Sequence, residues 1–302
     1  MKAVLLTGHG GPETLVYGDA RDPVAGADEV VVDIHAASVN AADYKVRQGG
    51  YFKLTFPYIL GRDFSGVVSA VGDGVTDLAV GDEVFGVADQ GSDGAYAEKM
   101  AIKAAIIARK PATLSHEAAA AMGLSSLTAL WALEDTARLK AGETILIQGG
   151  AGGVAGFAIQ LAKHIGARVI TTASAGNADY VRGLGADQVI DYNREDFTQV
   201  AGDCDVAFDT VGGEVQARSY DVLRPGGRLV FIAPPKKDFT PRQDVETLRP
   251  AVTRDRAHLE RMLALLEAGA VWPPNIVRYD LADAAEAHRV AEGRHLTGKL
   301  GW

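Results

Sequence analysis

At 302 residues, with 47% hydrophobic and 23% charged, the chain is long enough for two hydrophobic cores and has the composition of a globular enzyme. Its 30 Lys and Arg against 39 Asp and Glu leave a formal charge of −9, which excludes a nucleic-acid binder, because phosphate recognition needs clustered cations. A lone cysteine, Cys204, excludes an intramolecular disulfide. No run approaches the ~20 apolar residues of a membrane helix. The apolar start, Met1 to Leu6, is too short for a signal peptide, so a cytoplasmic location is expected.

The first third reads as β-structure. Val30 to Ala36 is an extended, partly alternating run. Gly66 to Val71 is an apolar strand ended by Gly72-Asp73-Gly74, and the turn Gly81-Asp82 feeds a third strand at Glu83 to Gly86. Short strands punctuated by glycine predict a small barrel or sandwich. The texture changes at Ser115, which caps a predicted helix through alanines 118–121; a second helical stretch carries Leu127, Leu130, Trp131 and Leu133. A strand at Thr144 to Gln148 runs into a glycine cluster. Val154, Phe157, Ala158, Leu161 and Ile165 then share one helical face.

Strands at Arg168 to Thr172, Gln188 to Asp191, Cys204 to Asp209 and Arg228 to Ile232 alternate with helices near 178–184 and 214–223. This alternation predicts an α/β domain with a doubly wound parallel sheet. A polar segment, 236–255, contains a predicted strand at Val245 to Val252. Beyond it lie a helix at about 258–268, a strand at Ile276 to Tyr279, a helix near 282–291 and an extended tail, Lys299 to Trp302, placed to rejoin the first domain.

Gly149, Gly152 and Ala155 match the G-x-x-G-x-x-G/A spacing of dinucleotide sites, between a strand and an amphipathic helix. Glycine there permits the tight turn, lets the backbone approach a pyrophosphate, and leaves helix N–H groups aimed at the anion. Gly149, Gly152, Gly153 and Val154 are therefore the expected phosphate contacts. The next strand ends Ile170-Thr171-Thr172-Ala173-Ser174, with no carboxylate for ribose hydroxyls. A carboxylate about 4 Å from a 2′-phosphate would cost roughly 4 kcal/mol at an effective dielectric near 20. Losing the ribose hydrogen bonds costs NAD only ~1.5–3 kcal/mol. The balance favours NADP(H), with Ser174 and Asn177 as phosphate donors and Tyr192 closing over it. No Lys lies close by, and the orientation of Arg182 is not set by the sequence.

The motifs Ser38-Val39-Asn40-Ala41-Ala42-Asp43, Gly61-Arg62-Asp63-Phe64-Ser65-Gly66-Val67-Val68, Gly72-Asp73-Gly74-Val75, Gly81-Asp82-Glu83-Val84 and Leu124-Ser125-Ser126-Leu127-Thr128-Ala129, with the glycine cluster, carry a family likeness. Over its whole length the chain resembles the medium-chain dehydrogenase/reductase superfamily, and within it the zeta-crystallin-like quinone oxidoreductases. The resemblance implies a GroES-like β-barrel catalytic domain, residues 1–118 with a return at 270–302, and a Rossmann NADP-binding domain, 119–269, with the active site in the cleft. It also implies a homodimer or higher oligomer. Asn40, Asp43 and Tyr51 correspond to family positions at the nicotinamide and substrate. Gly152, Gly153, Val154, Ser174 and Tyr192 correspond to those at the phosphates. Many relatives hold the 2′-phosphate with a lysine near position 177, where this chain has Asn177.

The zinc alcohol dehydrogenases are the competing branch. Their Cys-x-x-Asp motif reads Asn40-Ala41-Ala42-Asp43 here, and their Gly-His-Glu reads Gly61-Arg62-Asp63. Amide and guanidinium cannot replace thiolate and imidazole, so zinc is not expected. Cys204 reads as a buried small hydrophobe, and His164 and His288 as helix-surface residues.

Without a metal, the acceptor must be reactive by itself or polarised by hydrogen bonds, and quinones and conjugated carbonyls suit because their product anion is delocalised. The expected chemistry is hydride transfer from NADPH. Asn40 orients the nicotinamide or acceptor, Tyr51 lines a lid and donates a proton, and Asp43 braces the loop. Arg62 is expected to pair with a carboxylate. The competing readings are an enoyl or alkenal double-bond reductase of the same fold and a non-catalytic NADPH-binding protein.

Overall fold

Runs of β-branched and apolar residues cut by glycines build the amino-terminal sheets, as alternation predicts. In chain order the elements are β1 (Lys2–Leu6), β2 (Leu15–Asp19), β3 (Glu29–Val39), α1 (Ala41–Arg47), β4 (Tyr58–Ile59), β5 (Asp63–Val71), β6 (Glu83–Val87), β7 (Lys99–Lys103), β8 (Ile107–Arg109) and α2 (His116–Leu130). This computed structural model describes residues 1–50, 53–293 and 297–302. β1 pairs antiparallel with β2 and β4. The long β3 pairs antiparallel with β5, from Val30↔Val71 to Ser38↔Asp63, and its register shifts twice. Such irregularities bend a strand and raise its twist, which lets one strand serve a strongly curved sheet. β6, β7 and β8 complete this part of the sheet.

Ser115 Oγ accepts the Ala118 N–H at 3.2 Å, capping α2. The two predicted helical stretches are one helix, followed by a π-helical turn at Trp131–Thr136. Gly123 does not break it. A Cβ there would lie 2.9 Å from Asp63 Oδ1, so glycine serves a close approach to a buried carboxylate.

Next come β9 (Thr144–Ile147), α3 (Gly153–Ile165), β10 (Arg168–Ala173), α4 (Ala178–Gly183), β11 (Gln188–Asp191), α5 (Phe197–Val200), β12 (Cys204–Asp209), α6 (Gly213–Ser219), β13 (Leu223–Phe231) and β14 (Glu246–Leu248). The sheet order is β11-β10-β9-β12-β13-β14, and every pair is parallel. The order reverses between β9 and β12, the switch point where doubly wound sheets bind ligands. Ile145, Leu146 and Ile147 are wholly buried, as expected for a parallel strand covered on both faces. α3 is buried on all sides from Ala155 to Ala162, beyond the single face its periodicity shows. Its polar Gln160 is satisfied by the Trp272 N–H, 2.8 Å from Oε1. Cys204 is fully buried, and burial pushes its thiol pKa up to about 11.

The chain ends through α7 (Arg256–Glu267), β15 (Ile276–Arg278), α8 (Ala284–Glu292) and β16 (Lys299–Gly301). β16 pairs antiparallel with β3, Leu300↔Val39, so the tail rejoins the first sheet. Two units result: Met1–Leu124 with Arg254–Arg261 and Pro273–Trp302, and Ser125–Thr253 with Met262–Trp272. Among the described residues no helix is long and apolar enough to cross a membrane.

Candidate functional site

In the first unit, β3 and β5 meet at Ser38↔Asp63, and β16 lies beside β3, so the two strand ends and the tail bring their polar side chains together. Asp63 is fully buried. Its Oδ2 accepts Ser38 Oγ at 2.6 Å, Asn40 Nδ2 at 2.8 Å and Lys299 Nζ at 3.2 Å, and its Oδ1 accepts the Leu124 N–H at 2.7 Å. Lys299 also donates to Asn40 Oδ1 at 2.6 Å. The Asn40 carboxamide is thus held at both ends, with one Nδ2 hydrogen beyond the one given to Asp63.

Asp43 stands in the first turn of α1. Its Oδ2 accepts the Asn40 N–H at 2.8 Å and the Tyr96 hydroxyl at 3.2 Å. Burial pushes its pKa up to about 6, against the downward pull of the Arg62 charge. Arg62 Nη1 donates to the Asp89 carbonyl at 2.5 Å.

Behind Tyr96 lies His288, and here the sequence expectation is wrong: it is wholly buried. Arg47 Nε donates to its Nδ1 at 3.3 Å, which leaves the ring proton on Nε2, 3.1 Å from the Tyr96 oxygen. Ala284, Ala287 and His288 share the inward face of α8, an i, i+3, i+4 pattern that marks a packed stripe and not a surface. His164, by contrast, is exposed on α3. Burial, reinforced by Arg47, lowers the His288 pKa to about 3.

Unfolding lets this ring take a proton below its ordinary pKa, so its contribution to stability is full above about pH 6.5 and is lost as pH falls toward 3. Asp43 acts in the opposite sense, since its folded pKa is raised and stability falls as pH rises through 3.8 to 6. His288→Gln is therefore expected to lose less melting temperature than the parent between pH 7 and pH 4. Equal losses would show that the ring is not held neutral.

Sequence reasoning also missed Arg254. It is half-buried, its Nε donates to the Ala88 carbonyl at 3.4 Å, and burial followed by the like charge of Arg62 lowers its pKa. Nothing in its polar, proline-bearing surroundings marks it. Tyr51 lies outside the described residues.

In the second unit, the glycine cluster follows β9. Gly149 has φ +76°, and a Cβ on Gly150 would sit 2.3 Å from Thr171 Oγ1, so the turn itself demands both glycines. Gly152 differs. It has an ordinary φ of −75°, and a Cβ there would meet only the Gly149 carbonyl, at 3.4 Å. Gly152 is the N-cap of α3 and no side chain caps it. Among the described residues the Gly153 and Val154 N–H groups have no recorded acceptor. These open amides suit a pyrophosphate.

Ser174 follows β10 and Tyr192 follows β11, directly after the register pair Ala173↔Asp191, and Asn177 opens α4. Ser174 and Asn177 are half-buried and Tyr192 is exposed. The glycine turn, the Ser174–Asn177 stretch and Tyr192 thus lie at the carboxyl ends of β9, β10 and β11. Arg182 pairs with Asp179 at 3.0 Å. The cation that sequence reasoning overlooked is Arg194, exposed two residues beyond Tyr192, with Nε 3.8 Å from Asp191 Oδ2.

A family model described as alcohol dehydrogenase GroES-like domain matches residues 26–112, and one described as zinc-binding dehydrogenase matches 184–300. A 2-methylene-furan-3-one reductase of Solanum lycopersicum is 36% identical over 90% of this chain and 71% of its own. The chloroplastic NADPH-dependent alkenal/one oxidoreductase of Arabidopsis thaliana is 33% identical over 99% and 78%. The solved quinone oxidoreductase of Coxiella burnetii superposes with a TM-score of 0.93 at 34% identity, covering 100% of this chain and 98% of that one.

Proposed function

Because the chain belongs to the medium-chain dehydrogenase/reductase superfamily, as an oxidoreductase of its quinone oxidoreductase branch, we propose that it reduces quinones or related conjugated carbonyls with NADPH and without zinc. The observation that carries this is Lys299. At the positions where the zinc branch keeps its ligands stand an amide, Asn40, a guanidinium, Arg62, and a carboxylate, Asp63, already engaged by a buried ammonium. A divalent cation would have to displace that ammonium, and Asn40 and Arg62 offer it neither thiolate nor imidazole.

The Gly153 and Val154 main-chain amides hold the pyrophosphate, Gly152, whose N–H bonds the Gly149 carbonyl at 3.0 Å, keeps the approach free of a side chain, and Ser174, Asn177 and Tyr192 serve the 2′-phosphate. NADPH, when bound, supplies the hydride. Asn40 orients the nicotinamide or the acceptor with its remaining amide hydrogen. Asp43 fixes the Asn40 main chain, and Lys299 fixes its side chain. A delocalised phenolate or enolate product needs no metal beside it. Tyr51 remains the proposed proton donor for acceptors that give a more basic enolate. A homodimer completes the proposal.

NADPH should bind at least about tenfold tighter than NADH, a difference of ~1.4 kcal/mol, read by nucleotide fluorescence. Equal affinities would refute the argument from Ala173 and Ser174. An NADPH-oxidation screen over quinones, enals and ketones tests the reaction. Activity should survive prolonged chelation, and zinc bound one per subunit and lost together with turnover would refute the assignment. The tomato and Arabidopsis relatives favour a second reading, reduction of an enone or alkenal double bond. Turnover confined to enals and enones would select it.

A further inference from the structure

Two amide hydrogens of the glycine turn are held inward by one buried residue, through its side chain and its carbonyl, and two more stand open. Thr172, in β10, receives the Gly149 N–H on its hydroxyl oxygen at 3.0 Å and the Gly150 N–H on its carbonyl at 2.9 Å. Its hydroxyl hydrogen goes to Gln148 Oε1 at 2.7 Å. That bond orients the Gln148 carboxamide, whose Nε2 donates to Ser219 Oγ at 3.1 Å; Ser219 in turn donates to the Val215 carbonyl at 2.8 Å, one turn back in α6. The Gln148 main chain is pinned as well, its N–H on the Phe208 carbonyl at 3.0 Å and its carbonyl under Thr210 Oγ1 at 2.8 Å.

Thr172, Gln148 and Ser219 are at most 3% exposed, so water cannot stand in for a missing partner. The donors and acceptors match along the whole string, the condition under which a buried polar network specifies one arrangement. The amides turned inward, Gly149 and Gly150, leave those of Gly153 and Val154 at the open end of α3.

We infer that Thr172, locked by Gln148 and Ser219, is a positioning residue for the cofactor's pyrophosphate: it holds the first two turn amides inward and so sets where the amides that bind the anion stand. The inference rests on the NADPH reading of this turn proposed above. A valine at 172 would keep the β-branched shape that a buried strand accepts, but would leave the Gly149 N–H without its acceptor. A string that served stability alone would change the melting temperature and leave nucleotide affinity untouched.

The test is NADPH affinity by fluorescence, with kcat and KM for NADPH, in the whole enzyme and its variants. Thr172→Val should raise Kd and KM for NADPH about tenfold or more while kcat at saturation stays within about twofold. Thr172→Ser, which keeps the hydroxyl, should stay within about threefold of the parent. Gln148→Met should weaken binding on its own, and should add nothing to Thr172→Val, because the hydroxyl it orients is already gone. Parent-like NADPH affinity in Thr172→Val overturns the inference, as does failure of Thr172→Ser to retain binding. Should Thr172→Val not fold, Gln148→Met decides alone, and unchanged affinity overturns it. Absence of NADPH binding by the parent protein would instead refute the site reading beneath it.

Discussion

Lys299→Met is expected to lower stability by about 3–5 kcal/mol, the usual consequence of removing one partner of a buried ion pair. Asp63, wholly buried, would keep its bonds to Ser38, Asn40 and Leu124 but lose the Lys299 ammonium. In the first unit this is a fall of roughly 6–20 °C in melting temperature. Unfolding of a two-unit chain need not be two-state, so the transition is best followed at several wavelengths. Adding Asp63→Asn should return part of the loss, since the uncompensated charge is then gone. An unchanged melting temperature in Lys299→Met would mean that Asp63 does not rely on this ammonium. Activity should fall further than stability alone dictates, because Lys299 also holds Asn40 Oδ1.

Gly152→Val is expected to lower NADPH affinity by at least about a hundredfold, or ~2.7 kcal/mol, while leaving the fold intact. Space and backbone both permit the change: φ is −75° and a Cβ meets only one carbonyl, at ordinary contact distance. The branched side chain instead occupies the approach to the open end of α3. Gly149→Val is the contrast, because its φ of +76° penalises any branched residue, so it should destabilise the protein itself. Melting curves and fluorescence titrations of both separate the two roles. A Gly152→Val protein that binds NADPH normally would place the phosphates elsewhere.

Much of the second unit was legible in the sequence because it is built locally. Most strands there are short apolar runs followed within a few residues by a helix, and periodicity finds them, though the four-residue α5 went unassigned. Gln188–Asp191 and Cys204–Asp209 agree with expectation to the residue. The glycine cluster was legible for the same reason, since its strand, turn and helix are contiguous. In the first unit, α1 and the strands β1, β2, β4, β7 and β8 went unassigned. They are two to seven residues long, too short for periodicity to rise above composition.

The candidate site divides along the same line. Asn40 and Asp43 were found by family likeness, and Asp63 entered as part of a family motif and as a position where a zinc ligand would stand, with no role of its own. Nothing in the chain order joins Lys299 to Asn40, 259 residues apart, or His288 to Tyr96, 192 apart. A histidine between an alanine and an arginine reads as surface until its partners are known. Thr172 and Gln148 looked like strand-end residues of no special kind.

Contiguous residues alone dictate the alternation of strands and helices, the glycine turn at Gly149 to Val154, the lack of a carboxylate after β10 and the lack of thiol or imidazole at positions 40 and 62. These are properties of contiguous residues or of single side-chain chemistry. Which buried charges neutralise one another, which tautomer His288 carries and which amides of the turn remain open follow from contacts between distant segments. A hydrogen bond between distant segments is fixed by the register of strands and the packing of helices, and a buried polar group has one permitted set of partners only after the chain has closed around it.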